Sequence, residues 1–245
     1  MRFRRYIRRT PALGERSRRT KITYAKTIMM ETTHEGMIPH TEISGVPLRD
    51  ADRVLILLHG RGSSAGVMLG LAMRLGVEDY AHLAVQAQGN TWYPYSFLAP
   101  RRQNEPWLSR SLERVDAVVE ALLGMGFNRR QLFFLGFSQG ACLALEYLAR
   151  HGARYGGAVA FTGGLIGETV DTSLYQGDFE GMPVFIGTSD PDPHVPVQRV
   201  MGSENVLRDM GAVVKVNVYP GMGHIVSEDE VLQAGSHVLA AAARG

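Results

Sequence analysis

Short apolar runs recur along the chain, and segments of helical period fill the gaps between them. The runs are Val54–Leu58, Leu83–Gln86, Leu132–Leu135, Ala158–Phe161, Pro183–Ile186 and Val213–Val218. Strands buried on both faces read as near-continuous stretches of β-branched residues and Leu, so each run is expected to be a strand. Between them, Leu112, Val115, Val119 and Leu122 fall on one face of a helix. Pro106 suits the start of that helix and Gly124 its end. Ala141–Arg150, Val197–Met210 and Glu230–Ala243 read as further helices. This alternation predicts an α/β fold with a mainly parallel sheet and helices on both faces. With no internal repeat and no Pro- or Ser-rich linker, residues 36–245 read as a single domain. Sites in such sheets lie beyond the carboxyl ends of the strands. That directs attention to the residues after Leu58, Gln86, Leu135, Phe161, Ile186 and Tyr219.

Composition narrows the picture. The chain has 245 residues, 45% hydrophobic and 20% charged, an ordinary globular balance. No apolar run reaches the ~18–20 residues a membrane span requires. A single cysteine excludes an internal disulfide and fits a reducing, cytoplasmic setting. The net charge of +2 conceals a split. Residues 1–28 hold ten Lys/Arg and one acid; taking these from the totals of 26 and 24 leaves 16 basic and 23 acidic residues, so the body stands at −7. An acidic body is not expected to bind nucleic acid, whose phosphates call for clustered Lys and Arg. The leader, residues 1–35, has three readings: a basic tail, an organelle-targeting peptide, or translation from an upstream start, with Met29, Met30 or Met37 as the true one. It lacks the apolar core of a secretory signal.

The chemistry concentrates at the strand ends. Gly136-Phe137-Ser138-Gln139-Gly140 lies between an expected strand and an expected helix. In that context G-x-S-x-G lifts a serine hydroxyl above the sheet, and the helix N-terminus behind it favours developing negative charge. Its bland counterpart is a glycine-rich turn with a capping serine. A serine needs a base, and Pro220-Gly221-Met222-Gly223-His224, after the last strand, offers His224 in a loop free to reach it. The orienting acid belongs between them in the chain. The loop after Ile186 holds both Asp190 and Asp192. Asp192 is favoured and Asp190 is the alternate, with the other expected to staple the loop as an Asx group. The D-x-D-x-H spacing there is not read as a metal site, because three prolines stiffen it and no second ligand cluster appears. For the oxyanion, the backbone N–H of Gln139 and that of Arg61, in Leu58-His59-Gly60-Arg61-Gly62, are the expected donors. The Arg61 guanidinium is then left to meet solvent or an acidic substrate group, and His59 props the loop.

These four motifs, in this order, resemble the phospholipase/carboxylesterase family of α/β-hydrolases, which includes acyl-protein thioesterase-like and lysophospholipase-like enzymes. The resemblance covers about residues 40–243. It implies a Ser-His-Asp triad, hydrolysis through an acyl-enzyme, no cofactor or metal, and roles for Ser138, His224, Arg61 and Gln139 by motif match. A homodimer through an apolar surface is common in the family. The chain departs at the acid, where two residues are added between the strand-end Gly and Val-Pro.

The segment Gln88–Phe97 is rich in aromatic residues and proline. Trp92, Tyr93 and Tyr95 are expected to form a wall of the substrate pocket, although Trp92 and Phe97 could simply anchor the loop. The small residues of Thr162–Leu165 are placed near the leaving group, and Cys142 is read as a buried packing thiol. The expected reaction is therefore hydrolysis of a small-molecule ester or thioester. The same groups could serve a C–C bond or lactone hydrolase of aromatic breakdown, and a non-catalytic binding module on the same fold is the reading from outside enzymology.

Overall fold

Residues 40–239 of the computed structural model are described. The basic leader, and the stretch beyond Leu239 of the helix expected to run to Ala243, lie outside them. Seven strands form one sheet in the order β1-β3-β2-β4-β5-β6-β7. The strands are β1 (Thr41–Gly45), β2 (Val54–Leu58), β3 (Ala81–Val85), β4 (Leu132–Phe137), β5 (Gly157–Phe161), β6 (Pro183–Asp190) and β7 (Val213–Pro220). Only β1 runs antiparallel, against β3; the other six are parallel. The helices are α1 (Ala65–Ala72), the single turn α2 (Arg101–Asn104), α3 (Trp107–Gly124), α4 (Gln139–Arg150), α5 (Val197–Asp209) and α6 (Glu228–Ala234). The α/β expectation holds, and all six strands read from the apolar runs are present.

Alternation along each strand divides the core between two faces. Leu55, Leu57, Phe133, Leu135, Val159 and Phe161 point to one face, where they bury Met68 and Ala72 of α1 and Val231 and Ala234 of α6. Phe134 points to the other, its ring 5.7 Å from Tyr147 of α4. Each such Leu or Phe contributes ~1.5–3 kcal/mol on full burial, so the strands could not be moved by one residue without exposing a whole face.

Three elements were not in the apolar pattern: the single turn α2, and β1 and α1. β1 (TEISG) is an edge strand with no fully buried residue. α1 (AGVMLGLA) has two internal glycines and no polar face, so it shows no helical period. The last helix also starts earlier than expected, at Glu228. Ser227 caps it by accepting from the Glu230 amide, while the Glu230 carboxylate accepts from the Ser227 amide. After Ala234 it loosens into a π-turn, Gly235–Leu239.

Candidate active site

β4 feeds directly into α4 through Ser138, which sits at φ 53°, ψ −117°. A non-glycine residue in such a region stores ~1–3 kcal/mol of strain that its surroundings must hold. They do so here: the Ser138 amide donates to the Phe161 carbonyl at 2.9 Å, and its carbonyl accepts from Cys142 in the first turn of α4. The neighbouring glycines contribute closeness rather than unusual dihedrals. A Cβ on Gly140 would stand 2.1 Å from the Leu58 carbonyl oxygen, and one on Gly136 2.5 Å from the backbone of Ala141. These contacts set the start of α4 against the end of β2, beside the loop that carries Arg61.

His224 reaches the same point from the loop after β7. Its Nε2 is 2.8 Å from Ser138 Oγ, and its Nδ1 is 2.8 Å from Asp192 Oδ2. The structure thus brings Ser138, His224 and Asp192 into one hydrogen-bonded chain. The imidazole is held between the Phe137 ring at 5.3 Å and the His194 ring at 4.9 Å. Its loop is tied to the end of β6, where Gly223 donates to Ser189 Oγ and Gly221 to the Asp190 carbonyl.

The Asp192 carboxylate is fully buried. Its Oδ1 accepts from the amides of His194 and Val195 at 2.7 and 2.8 Å, leaving Oδ2 for His224. Burial pushes its pKa up, but the His194 amide, His224 and the Val195 amide outweigh this and hold it below the ordinary carboxylate value. Asp190 lies elsewhere. β6 extends further than the apolar run suggested, so Asp190 is its exposed last residue, paired in register with Pro220. The Asx stapling expected of the other aspartate therefore also belongs to Asp192, one oxygen for each task.

Arg61 and Gln139 line the same cleft as Ser138. No hydrogen bond of the described fold uses either amide as donor. The Arg61 side chain corrects the expectation of a free guanidinium: it donates to the Pro94 and Tyr95 carbonyls at 2.7 and 2.6 Å. The Gln139 side chain grips the same loop, accepting from the Trp92 amide and donating to the Tyr93 carbonyl. His59 ties the loop after β2 to the end of β3. Its Nδ1 lies 2.7 Å from the Gly60 carbonyl, and its Nε2 accepts from the Ala87 amide. This fixes the neutral tautomer with the proton on Nδ1. Burial accordingly lowers the His59 pKa, against the raising effect of the Gly60 bond.

A cleft of about 560 Å³ opens over these groups. Tyr93, Pro94, Tyr95, Ser96 and Phe97 of the aromatic segment line it, together with Pro193–Pro196, Ser138 and His224. Trp92 does not belong to this wall. It is buried, its Nε1 donates to the His59 carbonyl, and its ring lies 5.1 Å from the His59 ring; it anchors the loop, as Phe97 does in part. The Thr162–Leu165 segment is likewise absent from the cleft: Gly163 packs on Ala141, and the Leu165 amide donates to Ser203. Cys142 is buried, with its thiol pushed up to about 12 by burial. Sequence reasoning passed over Phe137 and His194, which pack on the imidazole. It also missed Asn104, whose amide group accepts from Tyr95 and donates to Ser96. Phe137 and His194 adjoin motif residues and could have been suspected; Asn104 carries no local signal.

Comparison with known proteins bears on the family and the fold. A solved phospholipase/carboxylesterase from Dyadobacter fermentans DSM 18053 is 46% identical, with a TM-score of 0.80 over 82% of this chain and 96% of that one. Acyl-protein thioesterase 1 of Saccharomyces cerevisiae is 26% identical over 212 residues, covering 78% of this chain and 93% of the yeast protein. A probable carboxylesterase, SOBER1-like, of Arabidopsis thaliana is 24% identical over 129 residues; that match spans about half of each chain, 53% of this one and 49% of the plant protein. The family model for phospholipase/carboxylesterase matches residues 45–241. The fold, the strand-end motifs and this match together place the chain in the phospholipase/carboxylesterase family of α/β-hydrolases.

Proposed function

We propose that this chain is a serine hydrolase that cleaves carboxylic esters or thioesters through an acyl-enzyme on Ser138. The observation that carries the reading is the pair of 2.8 Å contacts linking Ser138 Oγ, His224 and the buried Asp192. Ser138 donates its proton to His224 Nε2 as Oγ attacks the carbonyl carbon. His224 then carries positive charge, which Asp192 stabilises through the Nδ1 hydrogen bond. The carbonyl oxygen becomes an oxyanion facing the amides of Arg61 and Gln139, with the N-terminal end of α4 adding its partial positive charge. His224 returns the proton to the departing alcohol or thiol, and water repeats the sequence on the acyl-enzyme. A cleft of this size suits a small-molecule substrate. Fluorophosphonate labelling followed by peptide mapping tests the reading. The expected result is an adduct on Ser138 that His224→Ala removes, with ester turnover lost in Ser138→Ala. Turnover that survives in folded Ser138→Ala overturns it.

A further inference from the structure

We propose that the groove between α1 and the loop after β7 is a second substrate pocket, which receives the apolar alcohol or thiol part of an ester whose acyl part lies in the cleft. The inference rests on the reading of Ser138 as nucleophile and His224 as its base, and extends it to the group that leaves.

A second cavity, of about 490 Å³, adjoins the cleft. Ser63, Phe137 and His224 line both. Beyond these three the walls differ. The groove takes Val67 and Leu71 from α1 and Ile225 and Val226 from the loop after β7, and neither Ser138 nor Arg61 nor Gln139 lines it. α1 is the helix with no polar face, yet the fold leaves it partly uncovered. Val67 is 60% exposed, and Ile225 is 57% exposed. Single exposed apolar residues are ordinary, but a concave group of them beside a histidine is a place for an apolar part of a ligand. Arg74, which also lines the groove, is paired with Glu228 at 2.6 Å, so its charge is already answered within the protein.

The chemistry says which part of the substrate belongs there. His224 takes the Ser138 proton on Nε2, 2.8 Å from Oγ. It must return that proton to the departing oxygen or sulfur, which therefore comes within hydrogen-bond reach of the same nitrogen. The acyl carbon is bonded to Ser138, and in the proposed mechanism its oxygen faces the amides of Arg61 and Gln139; all three residues line the cleft. Of the groups in that mechanism that line the cleft, His224 is the one that also lines the groove. The part of the ester joined through the departing atom is thus the part the groove can take. A hydrocarbon chain suits its walls, and each methylene buried there is worth about threefold or more in binding.

The test uses the whole protein and two pairs of simple esters, followed by the acid they release. Ethyl and butyl acetate differ in the alcohol; methyl acetate and methyl butanoate differ in the acyl group. Ethanol and butanol leave equally well, so the first ratio reports binding. The expected result is a kcat/KM about tenfold higher for butyl acetate than for ethyl acetate. Gly70 lines the groove, and a Cβ there meets nothing within 4 Å. Gly70→Trp fills the groove and Gly70→Glu sets a charge in it. Both should fold, since glycine is a poor residue within a helix, and both should bring the alcohol ratio to about one while the acyl ratio keeps its wild-type value. A wild-type alcohol ratio near one overturns the proposal, as does a tenfold ratio that survives in both folded variants. A loss confined to the acyl ratio reverses the assignment and overturns it too. Sedimentation equilibrium reads the rival occupant: a dimer that Gly70→Glu separates, with a flat alcohol ratio, gives this face to a second copy of the chain. If Ser138 resists fluorophosphonate and no ester turns over, the hydrolase reading falls as well. Labelling of Ser138 with a flat alcohol ratio removes only the present inference.

Discussion

Replacing Asp192 by Asn tests the proposed relay at the point where geometry dictates the outcome. Oδ1 accepts two amide protons, from His194 and Val195. The introduced amide must keep its oxygen there, because the flipped orientation loses two hydrogen bonds worth ~1–3 kcal/mol and sets NH2 against two donors. Its NH2 is then forced into the place of Oδ2, facing His224 Nδ1. The imidazole answers by carrying its proton on Nε2, where it confronts Ser138 as a donor and cannot take the hydroxyl proton. The variant also loses the charge that would face the imidazolium. At an effective dielectric of about 20 and ~4 Å between charge centres, that attraction is ~4 kcal/mol. With about 1 kcal/mol or more for the wrong tautomer, the loss in kcat is expected to reach roughly 10³–10⁴-fold. Initial rates on p-nitrophenyl acetate, with circular dichroism as a check on folding, read this directly. Asp190→Asn serves as the comparison and should stay within about twofold, since that side chain is exposed at the end of β6. A folded Asp192→Asn enzyme within tenfold of wild type would refute the reasoning, most sharply if Asp190→Asn were the inactive one.

Two further outcomes follow from packing and titration. Gly140→Ala places a methyl group 2.1 Å from the Leu58 carbonyl oxygen and 2.6 Å from that of His59. It should cost ~1–3 kcal/mol, or about 2–4 °C in Tm for each kcal/mol, and reduce kcat as α4 shifts from the Arg61 loop; thermal unfolding and steady-state rates unchanged from wild type would contradict it. His59 should titrate below its ordinary 6.5, because the folded state favours its neutral form. Its contribution to stability is therefore complete above about pH 6.5 and is lost as pH falls from there through the lowered folded value. A ring-proton NMR titration with its midpoint above 6.5 would reverse that sign.

The sequence revealed most where two independent signals coincided. Ser138 combined a glycine motif with a strand before it and a helix after it, and His224 combined a glycine loop with the right place in the chain. β1 and α1 escaped because neither shows a period: one is an edge strand of mixed polarity, the other a short apolar helix broken by glycine. The choice between Asp190 and Asp192 turned on where β6 ends, and hydrophobicity does not mark that end, because Thr188 and Ser189 are polar yet wholly buried. Trp92 and Tyr93 posed a similar problem. Adjacent aromatic residues in an irregular loop have no periodicity to say which faces a cavity, and only the hydrogen bond from Trp92 Nε1 to His59 separates anchor from wall. The Arg61 side chain was misjudged because its acceptors are carbonyls more than thirty residues away, which carry no trace in side-chain identity.

The double engagement of Arg61 and Gln139 has a consequence for anyone who would re-tailor this protein. Each fastens the Trp92–Tyr95 segment with its side chain, and the proposed mechanism gives the amide of each to the oxyanion. Under that mechanism selectivity and reactivity share two positions in the sequence. A segment transplanted from a relative would bring new aromatic residues but would still have to meet the old guanidinium and carboxamide. Grafts at this site should succeed when residues 61 and 139 travel with the loop, and a library that randomises the loop alone would be screening mainly for variants that preserve four backbone contacts.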